Sequence, residues 1–125
     1  MELMIQCPVP VVAKIDGIAA AAGCQLVAMT DIAVASARSS FSTPGVSLGL
    51  FCSTPGVAVA RSVPLKTSAY MLYTGLSITA NEALSAGLLS RVVPHSQLGN
   101  ASIFQQQIAL GHSKLLSFYQ MLKLS

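Results

Sequence analysis

Charge is what this sequence has least of. Charged side chains make up 9% of its 125 residues, and only four are acidic: Glu2, Asp16, Asp31 and Glu82. Hydrophobic residues account for 53%. That balance excludes intrinsic disorder and is unusually apolar for an independent soluble domain. The length leaves room for one compact core. Such a chain is expected to bury surface against further chain, in an oligomer or as a piece of something larger. The net charge of +3 reflects the shortage of acids. The seven basic residues are scattered, and none forms a block that would track phosphates, so nucleic acid is not an expected partner. The cysteines Cys7, Cys24 and Cys52 are odd in number and lack CxxC spacing. They read as buried thiols of a reducing compartment. His95 and His112 are too isolated to complete a zinc site, and no metal is expected.

The longest uncharged run, Ser39 to Ala60, is long enough on paper to cross a bilayer. It contains Pro44, Gly45, Gly49, Pro55 and Gly56, which would leave backbone groups unsatisfied in lipid, so no membrane span is expected. Near Met1, Glu2 stands where a signal peptide needs basic residues, and Pro8 and Pro10 interrupt the apolar stretch. Any organelle address is expected to lie outside this chain.

Val9 to Ile15 is a β-branched run bounded by Pro8 and Asp16-Gly17, and it predicts a buried strand ending in a tight turn. Ala19 to Thr30 is rich in small and unbranched residues and predicts a helix beginning near Ala22 or Gly23. Ile32 to Ser36 predicts a second strand, which makes a βαβ unit with parallel strands and a right-handed crossover. Ser39 to Pro55 reads as loop with an extended piece around Phe41. A short helix over Gly56 to Val63 is followed by another that takes Pro64 into its first turn and stops at Gly75. Thr79 and Glu82 are spaced as a capping box for a helix ending at Gly87. Leu88 to Val93 is extended. From Gly99 the character changes, and Ile103 to Ile108 and Leu110 to Leu124 carry apolar residues at helical spacing. The expected organisation is a core over residues 1–98 and a divergent helical tail over 99–125.

The segment from Asp16 to Gln25 holds the chemistry. A strand ends, small residues turn the chain, and a helix starts. The first N–H groups of a helix have no intrahelical acceptor and lie at its positive end. A carbonyl oxygen gaining negative charge there would meet preset donors, each worth roughly 3 kcal/mol to an acyl-transfer-type transition state. The alternative is that alanine and glycine merely pack the helix closely on its sheet, and the pattern leaves both open.

Three stretches occur in order: PVPVVAKIDGIAAAAGCQLVAMTDIAVAS, SSFSTPGVSLGL and TGLSITANEALSAGLLSRVVP. In the last, Thr74-Gly75, Ile78, Ala80, Glu82-Ala83 and Gly87-Leu88 make a specific signature. Together they resemble the crotonase (enoyl-CoA hydratase/isomerase) superfamily over residues 8–94. The resemblance implies an α/β fold, part of the ClpP/crotonase ββα spiral core, followed by C-terminal helices. It implies that the backbone N–H groups of Ala22 and Gly23 are oxyanion donors, and that Ala20, Pro44 and Phe51 contact substrate. The ligand implied is an acyl thioester of coenzyme A, with no separate cofactor. For a full-length parent it implies a homo-oligomer, a trimer or hexamer. The segments GCQLVA, TPGV and GLFCSTPGVA resemble mitochondrial members, which implies a mitochondrial address.

The acid–base positions depart from the family pattern. Family hydratases use two glutamates to orient a water and move protons. Gln25 stands at the first of those positions and Gly45 at the second. A carboxamide hydrogen-bonds but does not exchange protons at neutral pH, and glycine has no side chain. The expectation is a fatty acyl-CoA-binding protein of lipid metabolism that has lost the hydratase pair. The alternatives are a hydratase, isomerase or thioester hydrolase working through other residues, and a non-catalytic truncated or interaction protein. Other polar residues have plain structural readings: Asp16 as a turn residue, Asp31 as a backbone or cap partner, Arg61 and Lys66 as a solvated helix face. Cys24 reads as an inert buried thiol. Ser47, Ser53 and Thr54 have no visible base. Tyr70, Met71 and Tyr73 read as core or subunit contacts.

Overall fold

The computed structural model of the chain describes residue 4, residues 6–50 and residues 53–101. The order is β1 (Val12–Ile15), β2 (Ile18–Ala20), α1 (Ala22–Met29), β3 (Ile32–Ser36), β4 (Ser40–Ser42), a 3-10 turn (Pro44–Leu48), α2 (Ser53–Ser62), α3 (Leu65–Thr74), β5 (Ile78–Thr79), α4 (Ala80–Ala86), β6 (Arg91–Val93) and a second 3-10 segment (His95–Ala101).

β1, α1 and β3 form the expected βαβ unit. β1 and β3 pair in parallel, with Val12 opposite Ile32 and Ile15 opposite Ala35. β6 joins β3 on its other side, also in parallel, so the first sheet has the order β1-β3-β6. The second sheet has the order β2-β4-β5, parallel between β2 and β4 and antiparallel between β4 and β5. The core lies between these layers. Phe41, Met71, Val59 and Cys24 are among its fully buried members, clustered with Ala35, Ala80, Ala83, Leu88 and Leu89. Small side chains at so many core positions let helix and sheet backbones approach closely.

Several boundaries differ from the sequence reading. The first strand begins at Val12, after the bend that Pro8 and Pro10 impose. Ile18–Ala20 is a separate strand, not the lead-in to a helix. It is held by Ser40–Ser42, a partner 22 residues away that no local pattern announces. Ser53, not Gly56, begins α2, because Pro55 falls in its first turn, where a missing N–H costs nothing. Pro64 is the N-cap of α3 and its helix starts at Leu65. Leu88 and Leu89 are buried but only Arg91–Val93 is strand. The capping box is present: Glu82 N–H donates to Thr79 Oγ1 at 3.2 Å and Thr79 N–H to Glu82 Oε1 at 3.3 Å. Met71 is core, whereas Tyr70 and Tyr73 are exposed. The helices read over Ile103 to Leu124 lie outside the described residues.

Asp16 does more than shape a turn. Its carboxylate accepts two hydrogen bonds from the Arg38 guanidinium, at 2.7 and 2.6 Å, and one from Ser36 Oγ at 2.7 Å. His95 Nδ1 lies 3.1 Å away. One carboxylate thus ties the ends of β1, β3 and β6 together. The bonds from Arg38 and then Ser36 hold its carboxyl well below the usual range, against partial desolvation that raises it. A lowered folded-state pKa stabilises the fold at every pH above the unfolded value, about 3.9, and that contribution fades as pH falls toward the folded value. In thermal unfolding, Asp16→Asn should therefore melt below wild type by a constant margin above about pH 5, and the margin should shrink below about pH 4. A margin independent of pH would show that the ion pair contributes nothing.

Ile18, Leu48, Leu65 and Tyr73 are each more than two-thirds exposed. Among the described residues these apolar side chains lie on the surface, in keeping with the composition.

Candidate functional site

The site grows from the parallel pairing of β2 with β4. Ala20 sits opposite Ser42, and the next amide, Ala21 N–H, donates to Ser42 C=O at 2.9 Å. The chain then turns sharply. Ala21 has φ 51° and ψ −116°, the one non-glycine residue at positive φ among the described residues. These angles match the first central position of a type II′ turn, which favours glycine. An alanine held there stores on the order of 1–3 kcal/mol of strain, the kind of local cost that clusters at functional sites. The turn sets the direction of the 21–22 peptide, and α1 begins at once.

The first helical bond runs from Gln25 N–H to Ala21 C=O at 3.0 Å. The amides of Ala22 and Gly23 precede it and have no intrahelical acceptor. No side chain caps this end, and no acidic residue lies in the first turn. No hydrogen bond among the described residues uses either amide. A Cβ built on Gly23 meets nothing within 4 Å, so close helix–sheet packing does not require glycine there. Two donors, free of bulk and of internal partners, stand at the positive end of an eight-residue helix. That arrangement can accept a carbonyl oxygen or an oxyanion.

Gln25, one turn into α1, is 7% exposed, and no hydrogen bond among the described residues engages its carboxamide. Pro44 and Gly45 open the 3-10 turn that begins two residues after Ser42, and this turn packs against α3. Gly45 C=O accepts Leu50 N–H at 2.9 Å. Ala20 is half-buried at the end of β2. Phe51 and Cys52 lie outside the described residues. Asp31 accepts Val11 N–H at 2.7 Å, a backbone role. Cys24 is fully buried and Cys7 is half-buried, and neither forms a disulfide among the described residues. Arg61 and Lys66 are exposed.

Sequence reasoning passed over Thr43. It is 1% exposed, and its Oγ1 is the buried side-chain polar atom that lacks a hydrogen-bond partner among the described residues. Nothing in the string SSFSTPG marks this hydroxyl apart from its neighbours.

The Ser36–Asp16–His95 group has the residue types of a nucleophilic triad but not its geometry. Ser36 Oγ bonds to Asp16 and Ser39, not to the imidazole, and Ser36 is fully buried. A triad needs serine on the histidine. Two shallow grooves between α3 and α4, of about 230 and 440 Å³, share Thr67 and Glu82. Neither is lined by Ala22, Gly23, Gln25 or Gly45. No cluster of three metal-ligating side chains occurs among the described residues, and none of their helices is long and apolar enough to cross a membrane.

A family model described as enoyl-CoA hydratase/isomerase matches residues 1–123. The mitochondrial enoyl-CoA hydratase domain-containing protein 3 of Homo sapiens is 55% identical over 124 residues, which cover 92% of this chain and 40% of that protein. A crystal structure of the human domain-containing protein 3 superimposes with a TM-score of 0.82 at 53% identity, covering 93% of this chain and 44% of the other. A crystal structure of an enoyl-CoA hydratase/isomerase family protein from Silicibacter pomeroyi gives a TM-score of 0.90 at 35% identity, covering 98% and 53%. The chain spans about 40% of the length of the curated human relative it matches.

Proposed function

This chain belongs to the enoyl-CoA hydratase/isomerase family, and from that premise we propose that it carries the acyl-thioester cradle of a fatty acyl-CoA-binding protein without the hydratase acid–base pair. The observation that supports this most is the pair of uncommitted amides at Ala22 and Gly23, presented by the strained turn at Ala21. A thioester carbonyl accepts hydrogen bonds and gains negative charge when the carbon beside it is attacked or deprotonated. Amides fixed before the ligand arrives stabilise that charge without reorganising. Alanine at positions 20 to 22 and glycine at 23 leave room for the acyl chain to come close.

In family hydratases two glutamates hold a water and pass protons to and from the thioester. Here those positions carry Gln25 and Gly45. Gln25 can hold a ligand by hydrogen bonds, but neither residue supplies a base. Binding and polarisation remain, and proton traffic is missing. The printed names of the relatives support a mitochondrial setting, and family resemblance supports assembly into a trimer or hexamer.

Infrared spectroscopy of a carbonyl-labelled acyl-CoA tests the reading directly. With the protein at its natural length, the C=O stretch of bound butyryl-CoA should move to lower frequency than in water, because two amides at a helix start polarise it. Tight binding with an unshifted carbonyl would remove the amides from the site. Absence of binding would sink the acyl-CoA reading altogether.

A further inference from the structure

α3 and α4 flank a groove that the acyl site does not use. One part, of about 230 Å³, is lined by Lys66, Thr67 and Tyr70 of α3, Ile78 of β5 and Glu82 of α4. A second part, of about 440 Å³, shares Thr67 and Glu82 and adds Asn81 and Ser85. The helical spacing explains the walls. Lys66 and Tyr70 stand four residues apart on α3, and Glu82 and Ser85 three apart on α4, so each pair shares a helix face. Ile78 lines the groove while only 3% exposed, which puts an aliphatic surface at its floor.

The polar groups along it are mostly uncommitted. No hydrogen bond or ion pair among the described residues engages the side chains of Lys66, Thr67, Tyr70, Asn81 or Ser85. Glu82 spends Oε1 on its capping box, accepting from Thr79 N–H at 3.3 Å and Thr79 Oγ1 at 3.0 Å, and its Oε2 accepts nothing among the described residues. Both ion pairs among the described residues belong to Asp16. Lys66 and Glu82 therefore line one cavity with opposite charges and do not meet.

A cavity with one cation, one anion and an aliphatic floor has a defined complement. A lone anion satisfies Lys66 but faces the Glu82 carboxylate, and a lone cation meets the reverse problem. A molecule that carries both charges on an apolar body satisfies both walls and brings no net charge. The Thr67 and Tyr70 hydroxyls can each donate to it or accept from it. We propose that the α3–α4 groove binds a small zwitterion, an α-amino acid with an apolar side chain, its ammonium on Glu82, its carboxylate on Lys66 and its side chain over Ile78. Neither part of the groove is lined by Ala22, Gly23, Gln25 or Gly45, so this site stands independently of the acyl-thioester reading.

Ligand-observed NMR titration of the protein at its natural length with L-leucine tests this. L-Leucine should bind saturably. N-acetyl-L-leucine and L-leucinamide, which each lack one of the two charges, should bind more weakly by about fivefold, the upper range for an exposed ion pair. Lys66→Gln and Glu82→Gln should each lower L-leucine affinity by a similar factor, whereas Arg61→Gln, on the exposed face of α2, should change nothing. Glutamine at position 82 still completes a capping box, so that variant should melt near the wild-type temperature. If it melts early, Lys66→Gln and the two charge-deleted ligands decide the matter. A signal that does not saturate, equal binding of the three ligands, or undiminished affinity in Lys66→Gln would each overturn the proposal.

Discussion

Given crotonyl-CoA, the protein at its natural length should hydrate it at a negligible rate, and the double variant Gln25→Glu, Gly45→Glu should raise that rate by about 10²–10⁴, the usual contribution of positioned acid–base groups. Neither substitution alone should recover much, because groups that act as a unit are strongly non-additive. Gln25→Glu is nearly isosteric, and Gly45 is not among the glycines at positive φ, so its backbone admits a β-carbon. A glutamate at position 25 would be largely buried, which raises a carboxyl pKa and suits a group that must give up and retake a proton near neutrality. Brisk turnover by the wild type would refute the lost-pair reading. So would a double variant that binds acyl-CoA and stays inert.

Gly75→Ala should destabilise the fold by about 2–3 kcal/mol, against about 1 kcal/mol for Gly87→Ala. Both glycines end a helix in the left-handed region, at φ 69° and 89°. Each substitution therefore carries a similar conformational cost. They differ in surroundings. A Cβ on Gly75 would lie 2.8 Å from Val46 Cγ1 and 3.5 Å from Pro44 Cα, whereas on Gly87 the nearest atom is Ser62 O at an ordinary 3.6 Å. Val46 is β-branched and its backbone belongs to the 3-10 turn, so relief requires that turn to move. Because Pro44 and Gly45 sit in the same turn, Gly75→Ala should also weaken acyl-CoA binding, while Gly87→Ala should not. Chemical denaturation and ligand titration of the two variants give the comparison. Equal losses would mean that Val46 simply swings aside.

Much of the fold was legible because its signals are local. The β-branched run before Asp16-Gly17, the small residues that start α1, and the Thr79–Glu82 box each act within a few residues. What escaped depends on distant partners. β2 and β5 are three and two residues long, too short to alternate, and exist through pairing with Ser40–Ser42. Asp16 looked like a turn residue because its partners Ser36 and Arg38 lie 20 and 22 residues away. At the site, resemblance named positions 22, 23, 25 and 45. The structure adds why the amides are uncommitted, through the angles at Ala21, which composition cannot report. Thr43 stayed hidden because a hydroxyl announces its worth only by what surrounds it.

The pairing of β1 with β3 and β2 with β4 has a geometric consequence. Each strand–turn–strand unit lies in register on the next, offset by 20 residues in one sheet and 22 in the other. The chain therefore climbs as a short solenoid whose layers repeat by translation. In such stacks each layer is stabilised by its neighbours, and the outermost one is the weakest. Among the described residues that outermost layer is β1 with β2, bearing Ile18 at 82% exposure and open backbone along both rims. One more layer added there would seal the rims without disturbing residues 22–25, since α1 follows β2 and is anchored on the inner side through Ser42.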